Sequence, residues 1–193
     1  VQSVMMLWYP GEEGGHAVAD VLLGKRSPAG RLPITFPVHE SQLPLSYWHL
    51  PTGRGDDYHN LSGEPLFPFG FGLSYTAFAY SNLRLSSNSI QAGESVELSV
   101  DITNTGNMDG DEVVQLYLRD ELASLARPVM EMKGFQRIAL RKGESKTVLF
   151  SITPAMLSMI NLDGKAVLEP GDFRIMIGAS SKDIRLKTTV TVL

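Results

Sequence analysis

Two adjacent carboxylates near the start of the chain, Glu12 and Glu13, are the first residues that could do acid–base chemistry. Such chemistry uses one ionised and one protonated carboxyl group, kept apart in pKa by different environments. Both glutamates stand directly before an apolar stripe with helical spacing that runs to Gly24. Because carboxylates stabilise the positive end of a helix dipole, we predict that both mark a helix start. We predict no catalytic residue in this chain.

The histidines are the next candidates, as metal ligands. The chain has four, and they lack the short spacings of metal-binding motifs: His16, His39, His49 and His59. The chain has no cysteine, which excludes disulfides, thiolate catalysis and cysteine-bound zinc. We therefore predict neither a metal site nor a cofactor.

Two further motifs contain residue types found in catalytic or phosphate-binding sites, but they lack the sequence context that such sites need. Ser46, His49 and Asp56 could form a triad, but no nucleophile elbow surrounds the serine, so we interpret them as part of a surface loop. Gly70 and Gly72 begin a glycine pattern that lacks the third glycine and the following helix of a dinucleotide fingerprint. We do not expect phosphate binding there.

An acidic cluster in the second half of the chain could suggest a cation site. It consists of Asn107, Asp109, Asp111 and Glu112, without the glycine and terminal glutamate positions of a calcium loop. Asparagine, aspartate and glycine are also the residues that favour tight turns. We predict a hairpin turn.

The stretch that organises the whole chain is an aromatic strap, which we define as residues 65–78. It contains two prolines, two glycines and five aromatic residues: Phe67, Phe69, Phe71, Tyr75 and Phe78. Proline and glycine rule out a continuous helix, and glycine permits a positive φ or a close backbone approach. Each large ring buries about 150–250 Å² when it packs. We predict an extended strap fixed against a folded domain, at a seam between two parts of the chain.

Before the strap, the sequence has an α/β pattern. Residues 3–9 are a continuous apolar run, as in a strand buried on both faces. A helix over residues 12–24, a turn at 27–33 and a short strand at 34–36 follow. A domain rarely begins inside a buried strand, so we expect a C-terminal piece of a longer polypeptide. Residues 38–64 have little periodicity and predict a long loop.

After the strap, apolar and polar residues alternate with period two. The predicted strands are 81–85, 96–102, 113–118, 135–140, 147–152, 173–177 and 184–192, separated by turn residues. Short strands of this number and spacing are typical of an immunoglobulin-like β-sandwich. The predicted fold is mainly β, with a fibronectin III-like sandwich after a partial α/β unit and a long aromatic linker. The predicted domains are 1–37, a linker at 38–78, and the sandwich at 79–193.

Composition limits the partners. The net charge is −4 and lysine and arginine are not clustered, so nucleic acid and anionic lipid are not expected partners. No apolar run approaches the length of about 18 residues that spans a bilayer. The absence of cysteine is compatible with any compartment.

Collinear motifs give the chain a family resemblance. The first part resembles the C-terminal region of glycoside hydrolase family 3 through PGEEGG (10–15), DVLLG (20–24), PAGRLP (28–33) and FPFGFGLSY (67–75). The second part resembles the fibronectin type III-like domain of its β-glucosidase branch through TNTG (103–106), EVVQLY (112–117), KGF (133–135) and EPG (169–171). The loop containing Thr52 and Arg54 resembles bacterial β-glucosidases and β-xylosidases.

The resemblance implies a retaining β-glycosidase as the parent protein, with a barrel and an α/β domain as partners of this segment. Its substrate would be a β-linked oligosaccharide or glycoside. In the family, the nucleophilic aspartate lies in the barrel and the acid/base carboxylate in an earlier loop, so neither role passes to Glu12 or Glu13. The alternative for one of these two is to line the sugar cleft, because loops after parallel strands lie at the binding edge.

Three aromatic residues in the long loop, Tyr47, Trp48 and Tyr58, could also line that cleft. They could stack on sugar rings, but we favour packing of the loop onto its neighbours. Three functions then remain: part of a β-glycosidase, which we favour; a non-catalytic carbohydrate-binding or adhesion module; or a purely structural piece of an enzyme. The second requires an exposed aromatic platform, whereas Tyr117, Phe135, Phe150 and Phe173 are expected in the core.

Overall fold

The computed structural model describes residues 3–52, 57 and 59–193. The helices are α1 (Gly14–Leu22), a 3-10 turn (Glu40–Gln42) and α2 (Pro154–Leu157). The strands are β1 (Phe78–Leu85), β2 (Ser89–Ile90), β3 (Val96–Asn104), β4 (Gly110–Asp120), β5 (Glu131–Leu140), β6 (Ser145–Ile152), β7 (Met159–Ile160), β8 (Ala166–Val167), β9 (Gly171–Gly178) and β10 (Ile184–Val192). None of the helices in the described part is long and apolar enough to cross a bilayer.

The long strands form two sheets that share one core. The first has the order β1-β3-β6 and the second β2-β10-β9-β4-β5, while β7 and β8 form a separate small hairpin. All pairings are antiparallel except the short β2–β10 pair. The sandwich and the mainly β fold class are therefore confirmed.

Side-chain alternation explains the sandwich directly. On β3, every second side chain is fully buried: Val96, Leu98, Val100 and Ile102. Successive side chains of a strand point to opposite faces, so one apolar set enters the core and the polar set faces out. The same core takes side chains from both sheets, including Val114, Leu116 and Ile175.

Asn104, at the end of β3, is buried, and its side chain makes hydrogen bonds with backbone groups around it. Its Nδ2 donates to the carbonyl oxygens of Met108 and Leu140, at 2.8 and 3.1 Å. Its Oδ1 accepts from the Thr76 hydroxyl at 2.6 Å and from the Gly106 amide at 3.1 Å. Since buried polar groups cost free energy unless they are paired, this side chain ties the end of the strap to the β3–β4 connection.

The predicted buried strand at the start of the chain is wrong. Residues 3–9 form no strand, and their large apolar side chains are exposed: Val4, Met5, Met6, Leu7, Trp8 and Tyr9. A buried parallel strand needs neighbours for its backbone hydrogen bonds and cover on both faces. In the part of the chain that the structure describes, no strand pairs with this segment.

The predicted helix is present as α1, and Gly24 beyond its end has φ of +68°. The predicted short strand at 34–36 is not formed. Instead, Phe36 makes a single antiparallel bridge to Phe67 of the aromatic strap. Phe36 thus pairs with the strap, whereas the sequence pattern predicts that it belongs to a strand of a sheet.

The predicted hairpin turn at the acidic cluster is also wrong, because β3 and β4 belong to different sheets. β3 pairs with β1 and β6, whereas β4 pairs with β5 and β9. Residues 105–109 therefore carry the chain from one sheet to the other. Turn-forming residues predict a reversal but do not say whether the flanking strands pair.

One aromatic residue predicted in the core lies outside it. Tyr117, Phe150 and Phe173 are buried, but Phe135 is 62% exposed. Phe135 pairs directly with Gln115, so both side chains point to the outer face of the five-stranded sheet, away from Leu116. Its position on the edge strand β5 leaves it uncovered.

Candidate functional site

The aromatic strap runs along the segment that follows α1. The Leu32 amide donates to the Phe71 carbonyl and the Gly70 amide donates to the Leu32 carbonyl, both at 2.8 Å. The Phe67 and Phe71 rings stack with centroids 5.3 Å apart. These contacts make residues 29–36 and the strap one unit, which we call the seam segment.

The seam segment covers the outer face of the five-stranded sheet through polar contacts. Gln115 is buried on this face, and its Nε2 donates to the carbonyl oxygens of Gly70 and Ala179, at 3.1 and 2.7 Å. The Tyr117 hydroxyl donates to Gln115 Oε1 at 2.6 Å. The Ser181 amide donates to the Phe69 carbonyl at 3.0 Å. The strap is therefore hydrogen-bonded to both β4 and the turn after β9.

Tyr47 completes this contact from the long loop. Its ring stacks on Phe69 at a centroid distance of 4.2 Å and meets Tyr117 edge-on at 6.1 Å. The Met132 amide donates to its hydroxyl at 3.3 Å. Tyr47 is thus a packing residue at the seam, whereas Trp48 beside it is 56% exposed. Tyr58, the third aromatic candidate, lies outside the described residues.

A buried ion pair lies at the other end of the seam. Arg31 Nη2 is 2.7 Å from Glu112 Oε1, and the two side chains are 9% and 4% exposed. Tyr80 lies in the same region, with the Arg185 guanidinium 5.7 Å from its ring centroid. Burial raises the pKa of Tyr80 well above its ordinary value, and the Glu112 carboxylate adds to that rise. Its hydroxyl therefore stays protonated.

Glu12 and Glu13 lie in the open at the start of α1. Glu13 is the N-cap residue, but its side chain makes no capping hydrogen bond and instead lies 2.8 Å from His16 Nδ1. Both carboxylates are exposed. Their position at the helix start follows the prediction, and neither approaches the buried seam.

The other candidate residues are separated from one another. His39 Nδ1 accepts from the Ser41 amide at the 3-10 turn, and His49 Nδ1 donates to the Leu50 carbonyl. His59 is exposed. Asp56 of the supposed triad lies outside the described residues, as do Gly53 and Arg54 of the loop motif. Within residues 3–52, 57 and 59–193, no group of three or more acidic or histidine side chains could hold a metal ion.

The acidic cluster is divided by the alternation of β4. The Asp111 carboxylate pairs with Arg137 at 2.6 Å, whereas Glu112, one residue later, points inward to Arg31. Asp109 accepts from the Lys142 amide. Asp109, Asp111 and Glu112 thus have three different partners, although they lie close together in the sequence.

Three residues in and beside the seam were not singled out from the sequence. Gln42 is buried, accepts from the Val38 and His39 amides, and donates to the Ser62 and Glu64 carbonyls. Gln115 and Arg31 are the others, and Arg31 pairs with Glu112 of the acidic cluster. Gln115 could have been recognised in the sequence, because it is a polar residue inside the apolar run of β4. A polar side chain in such a position needs a hydrogen-bond partner when it is buried.

We expect Phe69→Ala to lower the free energy of unfolding by about 1–3 kcal/mol, since the half-buried ring loses its stack on Tyr47. This is below the 3–5 kcal/mol typical of a fully buried phenylalanine. Leu73→Ala is the control, because Leu73 lies on the same strap and is 71% exposed. Urea denaturation of both variants measures the difference. Equal, near-neutral effects would show that the rings of the strap are loosely held.

Comparisons with known proteins agree with this architecture. Residues 1–75 match the family model of the glycosyl hydrolase family 3 C-terminal domain, and residues 112–181 match that of the fibronectin type III-like domain. A β-xylosidase of Formosa agariphila is 46% identical over 191 residues, covering 97% of this chain and 26% of the relative. A periplasmic β-glucosidase of Salmonella typhimurium is 43% identical over 193 residues, covering 95% of this chain and 25% of the relative.

Solved structures give the same result. A β-glucosidase of Erythrobacter marinus superposes with a TM-score of 0.91 at 43% identity, covering 96% of this chain and 24% of that one. A Listeria innocua β-glucosidase in complex with glucose superposes with a TM-score of 0.90 at 38% identity, covering 97% of this chain and 27% of that one. The chain spans about a quarter of the length of these relatives. By sequence and by structure, it belongs to glycoside hydrolase family 3 and corresponds to a C-terminal segment of such enzymes.

Proposed function

We propose that this chain is the C-terminal portion of a retaining β-glycosidase that removes terminal β-linked sugars from oligosaccharides or glycosides. The observation that supports this most is the similarity to β-xylosidases and β-glucosidases along nearly the whole chain. One solved relative was crystallised with glucose, and a variant of it with laminaribiose. The substrate of the present protein would be a glycoside of the same general kind.

The role of this segment would be to support the catalytic domains. Retaining hydrolysis uses two carboxyl groups about 5–5.5 Å apart, one as nucleophile and one as acid/base. Glu12 and Glu13 are exposed, and Glu13 already interacts with His16. The catalytic pair would therefore lie in the rest of the parent enzyme, in its barrel and α/β domains.

The exposed apolar surface of the first part indicates where those domains would bind. On residues 4–9 and the end of α1, exposed side chains include Trp8, Leu22 and Leu23. Large apolar side chains exposed in such number point to an interaction site. We propose that the remainder of the α/β domain covers it, with residues 1–37 as its last part, 38–78 as linker and 79–193 as the sandwich domain.

A carbohydrate-binding or adhesion module is less well supported. Such a module would present a flat aromatic platform, and of the four sandwich aromatics considered, Phe135 is the one that is exposed. A single ring offers one stacking position, whereas three of these side chains serve the packing of the fold.

We expect the isolated chain to hydrolyse aryl β-glucosides no faster than buffer, because it contributes no catalytic carboxylate pair. The full-length parent should hydrolyse the same compound with retention of the anomeric configuration, which NMR of the first product shows. Turnover by the isolated chain that survives purification and is lost in Glu12→Gln or Glu13→Gln would contradict this division of roles. A parent without β-glycosidase activity would contradict the proposed function.

A further inference from the structure

The buried Arg31–Glu112 pair joins the seam segment to the sandwich in one defined way. Arg31 lies in the irregular segment after α1, which the sequence predicts as a turn over residues 27–33, and Glu112 lies in β4, 81 residues later. The pair is almost completely removed from water, with the two side chains 9% and 4% exposed. Another ion pair across the same seam, between Glu64 and Lys182, is 64% and 53% exposed.

The arginine is held by several acceptors at once. Its Nη2 donates to Glu112 Oε1 at 2.7 Å, while Nη1 donates to the Gly30 carbonyl at 3.1 Å and to that of Ala29 at 3.4 Å. Glu112 Oε1 also accepts from the Val113 amide at 2.7 Å. A planar guanidinium can satisfy these acceptors together only when the turn and β4 have one relative position.

The strap leaves the arginine little room to adjust. A Cβ on Gly72 would overlap the Gly30 carbonyl and would contact the Arg31 side chain at about 3 Å. The Arg31 Nε is buried and has no hydrogen-bond partner among the described residues. Any sliding of the turn would leave further charged atoms buried and unpaired, which costs several kcal/mol per ion.

The apolar side-chain contacts at the seam are less selective than this ion pair. Stacked rings such as Tyr47 and Phe69 keep most of their attraction when they are displaced sideways, because burial of apolar surface is non-directional. Burying an ion pair, in contrast, gains little net stability, since desolvation offsets the attraction. A costly, directional and charged contact therefore lies beside permissive apolar contacts and the neutral hydrogen bonds of Gln115.

We propose that Arg31 and Glu112 act as an orientation pin, which selects one angle between the seam segment and the sandwich and adds little to overall stability. The pin belongs to this chain and does not depend on what the parent enzyme hydrolyses. It would hold the preceding α/β part of the enzyme at a constant angle to the sandwich domain.

The test separates orientation from stability in the full 193-residue chain. The absence of native cysteine allows spin labels at Ile34→Cys and Lys187→Cys, two exposed positions on either side of the seam. The variants are Arg31→Met, Glu112→Met and the double substitution, with Glu64→Gln/Lys182→Met as the matched exposed control. Pulsed electron spin resonance gives the distance distribution, and thermal denaturation gives Tm.

We expect each single variant to lower Tm by roughly 6–20 °C, because one buried charge loses its partner. The double variant should have a higher Tm than either single variant but a broader or two-peaked distance distribution. The control should keep the narrow distribution of the wild type. An unchanged distribution in the double variant, or equal broadening in the control, would overturn the proposal.

If the double variant does not fold, Arg31→Lys replaces it. Lysine keeps the charge but carries all its donors on one nitrogen, so it does not reproduce the planar fork that bonds Glu112 through Nη2 and the Gly30 carbonyl through Nη1. A folded Arg31→Lys chain with a broadened distribution supports the pin, and one with the wild-type distribution overturns it.

Discussion

Gly70→Val is expected to lower the free energy of unfolding by about 3–5 kcal/mol, through backbone strain and lost hydrogen bonds together. Gly70 has φ of +80°, which a β-branched residue adopts poorly. A Cβ there would also overlap Gln115 Oε1, the acceptor for the Tyr117 hydroxyl. The substitution would therefore separate the aromatic strap from the sheet as well as strain its backbone.

Two other glycines serve as controls that separate backbone strain from steric overlap at the Cβ position. Gly143 has φ of +76° with open space around its Cβ position, so Gly143→Val carries backbone strain alone and should cost about 1–2 kcal/mol. Gly72 is not in the left-handed region, but its Cβ would overlap the Gly30 carbonyl. Gly72→Val should cost about 2–4 kcal/mol through displacement of the backbone.

The three variants are compared by urea denaturation at constant pH. The expected order of destabilisation is Gly70→Val, then Gly72→Val, then Gly143→Val. If Gly70→Val were no worse than Gly143→Val, the strap would not be held against β4, and the seam described above would be wrong.

Residues 79–193 are expected to fold alone, whereas residues 1–37 are expected to remain unfolded. In the part of the chain that the structure describes, the buried residues of the main core all lie between Ile90 and Val192. Within residues 3–37, only Gly14 and Ala29 are buried. A segment that buries so little apolar surface cannot offset the entropy lost on ordering, which is about 1–2 kcal/mol per residue for the backbone.

The strap should make a measurable difference to the isolated sandwich. A fragment of residues 65–193 keeps the hydrogen bonds from Gln115 to the Gly70 carbonyl and from the Ser181 amide to the Phe69 carbonyl, so it should unfold at a higher temperature than 79–193. Without the strap, Gln115 loses its hydrogen bond to the Gly70 carbonyl. Circular dichroism on heating measures both fragments.

Limited proteolysis of the whole chain checks the same division. The first cuts should fall before residue 65, and a stable fragment containing the sandwich should remain. A protected N-terminal piece with a degraded sandwich would reverse the assignment. Equal melting temperatures for fragments 65–193 and 79–193 would show that the strap adds no stability to the sheet.

The positions of the seven long strands and the sandwich architecture follow from the sequence alone. Apolar residues alternate along β3, and turn residues stand at its ends, so local pattern and global fold agree. The strap was likewise predictable as an extended, packed segment, because prolines and glycines exclude a helix and its rings require burial. Family membership followed from collinear motifs on both sides of the strap.

What the sequence could not reveal depends on which surfaces meet. Phe135 and Tyr117 both lie on the outer face of one sheet, yet Tyr117 is buried and Phe135 is exposed, because the Tyr47 ring packs edge-on against Tyr117 and Gln115 accepts from its hydroxyl. Arg31 and Glu112 have no pattern that links them, and only the folding of the turn against β4 brings them to 2.7 Å. Residues 3–9 have the composition of a buried strand but lie exposed, because burial requires neighbouring strands as well as apolar side chains. Periodicity encodes which face of an element is apolar, whereas the partner of that face is decided only by tertiary contacts.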